Sequence, residues 1–395
     1  MKKIINALKK LAKKTIICVI RIFCPVKKKK IYFISNSGNR FSCNPKAFFE
    51  YLYENHKDEF EFVYCIKKES ENLIPKDVKV VYPNSIKNIY HFQTAGIIVN
   101  NFRMEWALNK RKKQYYIQTW HGGPVPQKMV EKDAIADLSA KYIKSAQKDS
   151  KNMDLLMTGS DAIAKAYRTA FWYDGEISNF GTPRYDIFFK DTKEFAKKLK
   201  AELGIAEDTK IVLYAPTFRN CMTPEELILN NEVLLRAFEK YYGSKVVLMY
   251  RFHPNQTKET KNFTFDDERI VNLTSYPDAV DLEIIADILI TDFSSTLADF
   301  MMLRKPCFIF SKEYEQYVSS ERSLYIDCKE YPYPMVDSEE KLEEYINKNK
   351  DLANKFTKDI DAFNKKIGLT EKGDACENLY LKIKKDVFKE EVWKQ

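Results

Sequence analysis

The sequence is poor in the residues that usually announce a chemistry. Only four histidines occur in 395 residues. There is no GxGxxG loop and no Walker sequence, which removes the usual signs of a nicotinamide cofactor and of ATP hydrolysis. The eight cysteines (Cys18, Cys24, Cys43, Cys65, Cys221, Cys307, Cys328 and Cys376) form no CxxC pair and no metal-type spacing. They read as scattered packing thiols of a reducing compartment. No Asp-x-Asp metal motif is present, since Asp287 and Asp292 stand too far apart to act as one, so no cofactor or metal is expected. The N-terminal apolar run, 15–26, is 12 residues long and broken by Arg21, short of the ~20 that a spanning helix needs. No small-residue cleavage site follows it; Lys27 to Lys30 come instead. Internal repeats and low-complexity linkers are missing too. Net positive charge is absent from the body of the chain: residues 1–30 carry +11 with no acid, and the net of +9 leaves −2 for the rest. A nucleic-acid groove on the folded part is therefore excluded.

What is present describes a folded α/β protein. Its length exceeds one ordinary core, so two domains are expected. Ile4, Ile5, Leu8, Leu11, Ala12, Thr15, Ile16 and Val19 recur at helical spacing with lysines largely opposite, which predicts an amphipathic helix lying on an anionic membrane surface. From residue 30 strands and helices alternate. Strands are expected at 31–35, 60–66, 78–82, 95–100, 114–119 and 155–158, with helices at 44–55, 134–148 and 161–170 and a short one opening at Ser85. After 179–186 the alternation restarts. Strands are expected at 210–214, 245–250, 270–272, 288–291 and 306–310, helices at 193–203, 224–242, 281–286 and 296–303, and a charged helical tail from 338. Two βα series with a break between them predict two doubly wound, Rossmann-like domains facing one cleft. The divisions are 1–29 for the basic membrane-associating segment, 30–178 and 179–375 for the two domains, and 376–395 for the helical tail.

Several strands stop abruptly in polar, ring-bearing or glycine residues, as strands do when their carboxyl ends build an active site. The strand at 288–291 runs into Asp292–Ser295 and then a helix, so free backbone N–H groups, the helix dipole and the hydroxyls of Ser294 and Ser295 suit an anion. Simple N-capping by either serine explains the same residues equally well. Arg251 and His253 stand two apart after a strand and share a direction if it continues; Pro254 fixes the loop. A guanidinium beside an imidazole suits a diphosphate leaving group, and Arg219 could join them, although each alone could be a surface ion-pair member. His121 lies between Trp120 and Gly122–Gly123, whose missing side chains allow close approach to a ligand. It is the candidate general base, with Asp299 behind it, although a structural histidine would also fit.

Taken together and in order, WHGGP at 120–124, FGTPRYD at 180–186, YAPTFR at 214–219, RFHPN at 251–255 and TDFSSTLADF at 291–300 resemble the CDP-glycerol glycerophosphotransferase family, the teichoic-acid polymerases and primases. The resemblance covers about residues 31–330. It implies a GT-B fold, a monotopic basic attachment to the cytoplasmic side of the cell membrane, and transfer of glycerol phosphate or ribitol phosphate from a CDP-alditol to a lipid-linked acceptor, with release of CMP, in wall or capsular polymer synthesis. Carried over residue by residue, it implies His121 as base, with Trp120, Gly122, Gly123 and Lys128 on the acceptor side. It likewise implies a catalytic His253 and donor contacts from Arg219, Arg251, Asp292, Ser294 and Ser295. The chain departs from the family pattern at Gly123, where threonine is common, at 125–127 before Lys128, and in the Thr and Tyr of GTPRYD. Two other readings stay open: a GT-B glycosyltransferase using a nucleotide sugar, and a non-catalytic membrane-associated scaffold of polysaccharide assembly.

Overall fold

The computed structural model describes residues 2–104, 109–125, 129–218, 222–253, 256–321 and 323–391. Two all-parallel sheets organise it. The first contains β1 (Lys27–Ile34), β2 (Glu61–Cys65), β3 (Lys79–Val81), β4 (Ala95–Asn100), β5 (Tyr115–Gln118), β6 (Leu155–Met157) and β7 (Glu176–Ser178), in the order β3-β2-β1-β4-β5-β6-β7. The second contains β8 (Lys210–Ala215), β9 (Val246–Tyr250), β10 (Ile270–Asn272), β11 (Ile288–Thr291), β12 (Cys307–Phe310) and β13 (Met335–Val336), in the order β10-β9-β8-β11-β12-β13. Each order reverses once, beside β1 and β8, and such a reversal opens a crevice at the carboxyl ends of the strands. Central strands such as β4 and β11 are buried along their whole length. Helices cover both their faces, which is why they read as continuous apolar runs.

The departures from the expected elements are local. β1 begins at Lys27, so the lysine run belongs to the sheet. Lys30 is buried, with Nζ donating to Thr94 Oγ1 at 2.8 Å and 3.7 Å from Glu61. The helix expected at 134–148 is a tight turn, Glu131–Asp137, followed by Ala140–Ser150, because Ser139 accepts from Tyr142 N and starts a new helix. Asn230 does the same for Asn231–Tyr242, leaving only a short turn, Glu225–Leu227, before it. The edge strands β7 and β13 were not expected.

The chain crosses between the two halves more than once. The helix Ala375–Ile383 packs Cys376, Leu379 and Ile383 against the first sheet's core, and Asp186 accepts from the N–H groups of Ala375 and Cys376 at 2.9 and 2.7 Å. The first helix, Lys2–Phe23, buries Ile17 and Ile20 beside the helix Ile86–Thr94 and exposes Leu8, Leu11, Val19, Ile22 and Phe23. No helix among the described residues is long and apolar enough to cross a membrane.

Candidate active site

The His121 loop is shaped by the residue that ends β5. Gln118 receives Trp120 N on its Oε1 at 2.9 Å, while its Nε2 donates to Tyr116 Oη and to the Phe102 carbonyl, both at 2.8 Å. That short return forces Trp120 to a left-handed φ of +52°, a strained backbone that persists only where its surroundings hold it. Asn44 braces the loop from the other side, donating to the Thr119 and Trp120 carbonyls at 3.3 and 3.1 Å. Gly123 lies against the second half of the molecule: a Cβ there would sit 3.1 Å from Ala298 Cβ and 3.2 Å from Tyr185 Oη.

His121 is held by both edge and face. Its ring stacks on Phe102 (4.2 Å between centroids, 12°) and Trp120 (4.5 Å, 29°). Its Nδ1 is 2.7 Å from the Asn101 carbonyl. A carbonyl can only accept, so Nδ1 carries the proton and Nε2 keeps its lone pair. Burial, and to a smaller degree the Arg184 charge, push the imidazole pKa down to about 4, against the upward pull of the Asn101 carbonyl. The ring is therefore a neutral acceptor at neutral pH.

The cavity beside it, about 280 Å³, is lined by Trp120, His121, Gly122 and Gly123 from one half and by Thr217, His253, Ser294, Ser295 and Tyr325 from the other. Ser295 precedes the helix Thr296–Leu303 and makes no side-chain cap bond. Ser294 Oγ meets Thr296 Oγ1 at 2.8 Å. Tyr325 Oη donates to Asp133 at 2.6 Å and Met129 N to the Ser323 carbonyl at 3.0 Å, so the wall of the cavity is tied across the two halves.

Seven of the sequence-selected residues thus converge: Trp120, His121, Gly122, Gly123, His253, Ser294 and Ser295. Arg251 and Asp292 stand behind them. β9 ends at Tyr250, so its alternation does not carry on, and Arg251 Nη1 donates to the carbonyls of Leu273 (3.2 Å) and Tyr276 (2.9 Å). The buried Asp292 carboxylate accepts from Thr217 N, at 3.0 Å to each oxygen, and from Phe293 N, joining the loops after β8 and β11. Arg219 and Lys128 lie outside the described residues. Asp299 is occupied by Arg184, at 3.1 Å, and by the Tyr185 hydroxyl. Among the described residues no group of three or more His, Cys, Asp or Glu side chains is placed to hold a metal ion.

Sequence reasoning passed over Arg184, although it sits inside the FGTPRYD motif. Its Nη1 donates to the His121 carbonyl at 3.3 Å, its backbone N–H to Asn44 Oδ1 at 3.0 Å, and its Nη2 to Asp299. It was also silent on Asn101, whose carbonyl sets the His121 tautomer.

Two parallel doubly wound sheets with a histidine-bearing, hydroxyl-lined cleft between them define a GT-B-like transferase. The comparisons carry this further. Residues 16–385 match the family described as CDP-Glycerol:Poly(glycerophosphate) glycerophosphotransferase, and the chain belongs to it. It is 32% identical over 364 residues to the teichoic acid poly(glycerol phosphate) polymerase of Bacillus spizizenii, covering 90% of this chain and 92% of that protein. It is 27% identical over 385 residues to the teichoic acid glycerol-phosphate transferase of Staphylococcus aureus, covering 95% and 98%. The solved structure of the wall teichoic acid polymerase TagF superposes with a TM-score of 0.84 at 25% identity, covering 98% of each chain. The expected GT-B-like α/β fold and an enzyme that transfers polyol phosphate from a CDP-alditol are thereby borne out; the scaffold and nucleotide-sugar readings fall away.

Proposed function

We propose that the cavity is the reaction centre for glycerol phosphate, or ribitol phosphate, transfer from CDP-glycerol or CDP-ribitol to a hydroxyl of a lipid-linked acceptor. The acceptor hydroxyl approaches from the His121 side and gives its proton to Nε2. Its oxygen attacks the β-phosphorus, the bond from that phosphorus to the bridging oxygen breaks, and CMP leaves with the electron pair. Hydrogen-bond donors at the start of the helix Thr296–Leu303, with Ser294, Ser295 and His253, face the diphosphate and stabilise the charge that moves onto the leaving group. Arg251 and Asp292 serve the donor from behind, by holding the loops that carry these groups. The division of labour is acceptor on the half built around the first sheet and donor on the half built around the second, with the first helix, Lys2–Phe23, lying on the anionic cytoplasmic face of the membrane.

The observation that carries the proposal is the His121 imidazole itself: its Nδ1–H is committed to the Asn101 carbonyl at 2.7 Å, and it shares one cavity with His253, Ser294 and Ser295. Asparagine reproduces the Nδ1 edge of histidine but has nothing at the Nε2 position. His121→Asn should therefore fold and bind CDP-glycerol as wild type does, while CMP release with a synthetic lipid acceptor falls by about 10²–10⁴-fold. Assaying CDP-glycerol against CDP-ribitol settles the donor in the same experiment. Wild-type turnover by the variant would assign His121 to structure alone.

A further inference from the structure

One hydroxyl on the wall of the cavity has nothing to bond to. Tyr167 lines that wall and is only 4% exposed, and its Oη has no hydrogen-bond partner among the described residues. Other tyrosines nearby are not left so: Tyr185 Oη donates to Asp299, Tyr325 Oη to Asp133 and Tyr173 Oη to the Glu176 carbonyl. A buried polar group without a partner costs stability and is uncommon in a folded chain. The oxygen stands over the loop that carries the proposed base. A Cβ on Gly122, the residue after His121, would lie 3.2 Å from it and 3.4 Å from Trp120 Cδ1.

The hydroxyl is also held in place. Its helix, Asp161–Ala170, starts at Ser160, which accepts from Ile163 N at 3.1 Å and donates its own proton to the Pro124 carbonyl, so the helix is pinned to the end of the His121 loop. The Tyr167 ring packs on Phe171 (4.5 Å between centroids), which packs on Trp120 (4.6 Å). Thr169 and Tyr325 both donate to Asp133, at 2.6 Å each, and so fix the far end of the helix. The surroundings define what the oxygen can meet. Trp120, Val130, Ile163 and Ala166 flank it, and the described lining residues include no Lys, Arg, Asp or Glu. Burial pushes the phenol pKa up, so the group stays a neutral hydroxyl that can donate and accept. A phosphate against this wall would give up its hydration with no charge to offset the loss. A polyol fits better, offering a hydroxyl to Oη and C–H groups to the apolar side chains.

We propose that Tyr167 is a specificity-determining residue of the transfer, its hydroxyl pairing with the free polyol hydroxyl on the carbon next to the reacting end of a substrate. This rests on the transferase reading above. A site built to bond a hydroxyl rejects a substrate that lacks it, because the buried partner is then left unpaired. The bond also fixes rotation about the terminal carbon–carbon bond, which holds the neighbouring reactive group in one direction. The polyol has two possible sources: the terminal unit of the acceptor, or the alditol of the CDP-alditol.

The test compares the full chain as wild type and Y167F, a change that removes only the oxygen. Urea unfolding reports the fold: Y167F should be at least as stable as wild type, because an unpaired buried hydroxyl is lost and no bond is broken. CMP release is then measured with two synthetic lipid acceptors, one ending in glycerol phosphate and one in propanediol phosphate, and with two donors, CDP-glycerol and the CDP ester of propanediol. Each propanediol form keeps the reacting groups and lacks only the middle hydroxyl. On the side that Tyr167 reads, wild type should prefer the glycerol form by about tenfold or more in kcat/KM. Y167F should prefer it by less than about twofold, through slower use of the glycerol form. Loss of the preference among acceptors assigns the hydroxyl to the acceptor, and loss among donors assigns it to the CDP-alditol. The same preferences in both proteins on both sides, or a Y167F that unfolds more readily than wild type, would overturn the subsite. A failed transferase reading is told apart because it shows in the wild-type chain, as an absence of CMP release with either CDP-glycerol or CDP-ribitol.

Discussion

Replacing Arg184 by methionine tests the contact that joins the two sides of the active site. The Arg184 and Asp299 side chains are only 10% and 5% exposed and meet at 3.1 Å. Methionine keeps most of the arginine stem's volume but removes the charge, leaving the Asp299 carboxylate buried with the Tyr185 hydroxyl alone. Breaking a buried pair from one end costs about 3–5 kcal/mol, because the survivor stays desolvated and unpaired. Removing both charges avoids that penalty, so Arg184→Met/Asp299→Leu should recover at least about 2 kcal/mol relative to the sum of the single changes. Urea unfolding of the four proteins supplies the cycle. Catalysis should respond separately. Arg184 also donates to the His121 carbonyl at 3.3 Å, and Asp299 sits in the first turn of the helix that follows Ser294 and Ser295. The double variant, though stable, loses the tie between base and phosphate site. Its kcat should fall by about 10²-fold, the scale of a misplacement near 1 Å, while the CDP-glycerol Kd moves little. A cost below about 1 kcal/mol for Arg184→Met, or strict additivity in the cycle, would refute the reasoning.

The strands were legible because parallel strands covered on both faces leave long apolar runs. β4 at 95–100, β10 at 270–272 and β11 at 288–291 coincide with the expected limits. β7 and β13 were not legible: Glu176–Ser178 is three residues with a charged start, and Met335–Val336 is only two. Lys27–Lys29 read as part of the membrane segment, since nothing local reveals that β1 begins at Lys27 or that Lys30 finds Thr94, 64 positions further on. The same limit governs the site. His121, His253, Ser294 and Ser295 could be picked out because each follows an apolar run that ends at the cleft. The positions of Arg251 and Asp292 were equally visible, but not the direction of their side chains, which the folded chain turns toward loop carbonyls and amides. Arg184 acts through partners far away along the chain, the His121 carbonyl of the other half and Asp299. No single stretch of sequence could display such pairs.

Two further outcomes follow from features outside the cavity. Exchanging the exposed Leu8, Leu11, Val19 and Ile22 for glutamine should abolish sedimentation with anionic vesicles. The thermal midpoint should not move, because the residues that seat the helix, Ile17 and Ile20, are untouched; unaltered vesicle binding would remove the first helix from membrane contact. The second outcome concerns Glu371, which locks the segment between the two halves. Its buried carboxyl receives Thr182 N at 3.0–3.1 Å and the Thr182 hydroxyl at 2.9 Å, and burial pushes its pKa from 4.5 up to about 8. Between those values the folded chain holds a proton that the unfolded chain has released, so its stabilising contribution, complete below pH 4.5, is lost as pH rises toward 8. A shift of that size corresponds to on the order of 5 kcal/mol. Glu371→Gln keeps an oxygen for Thr182 N and cannot ionise. The stability of the variant relative to wild type should therefore climb by a few kcal/mol between pH 5 and pH 9, measured by urea unfolding at each pH. If the difference between the two proteins is flat across that range, or slopes the other way, Glu371 is ionised in the folded chain and the Thr182 amide and hydroxyl outweigh its burial.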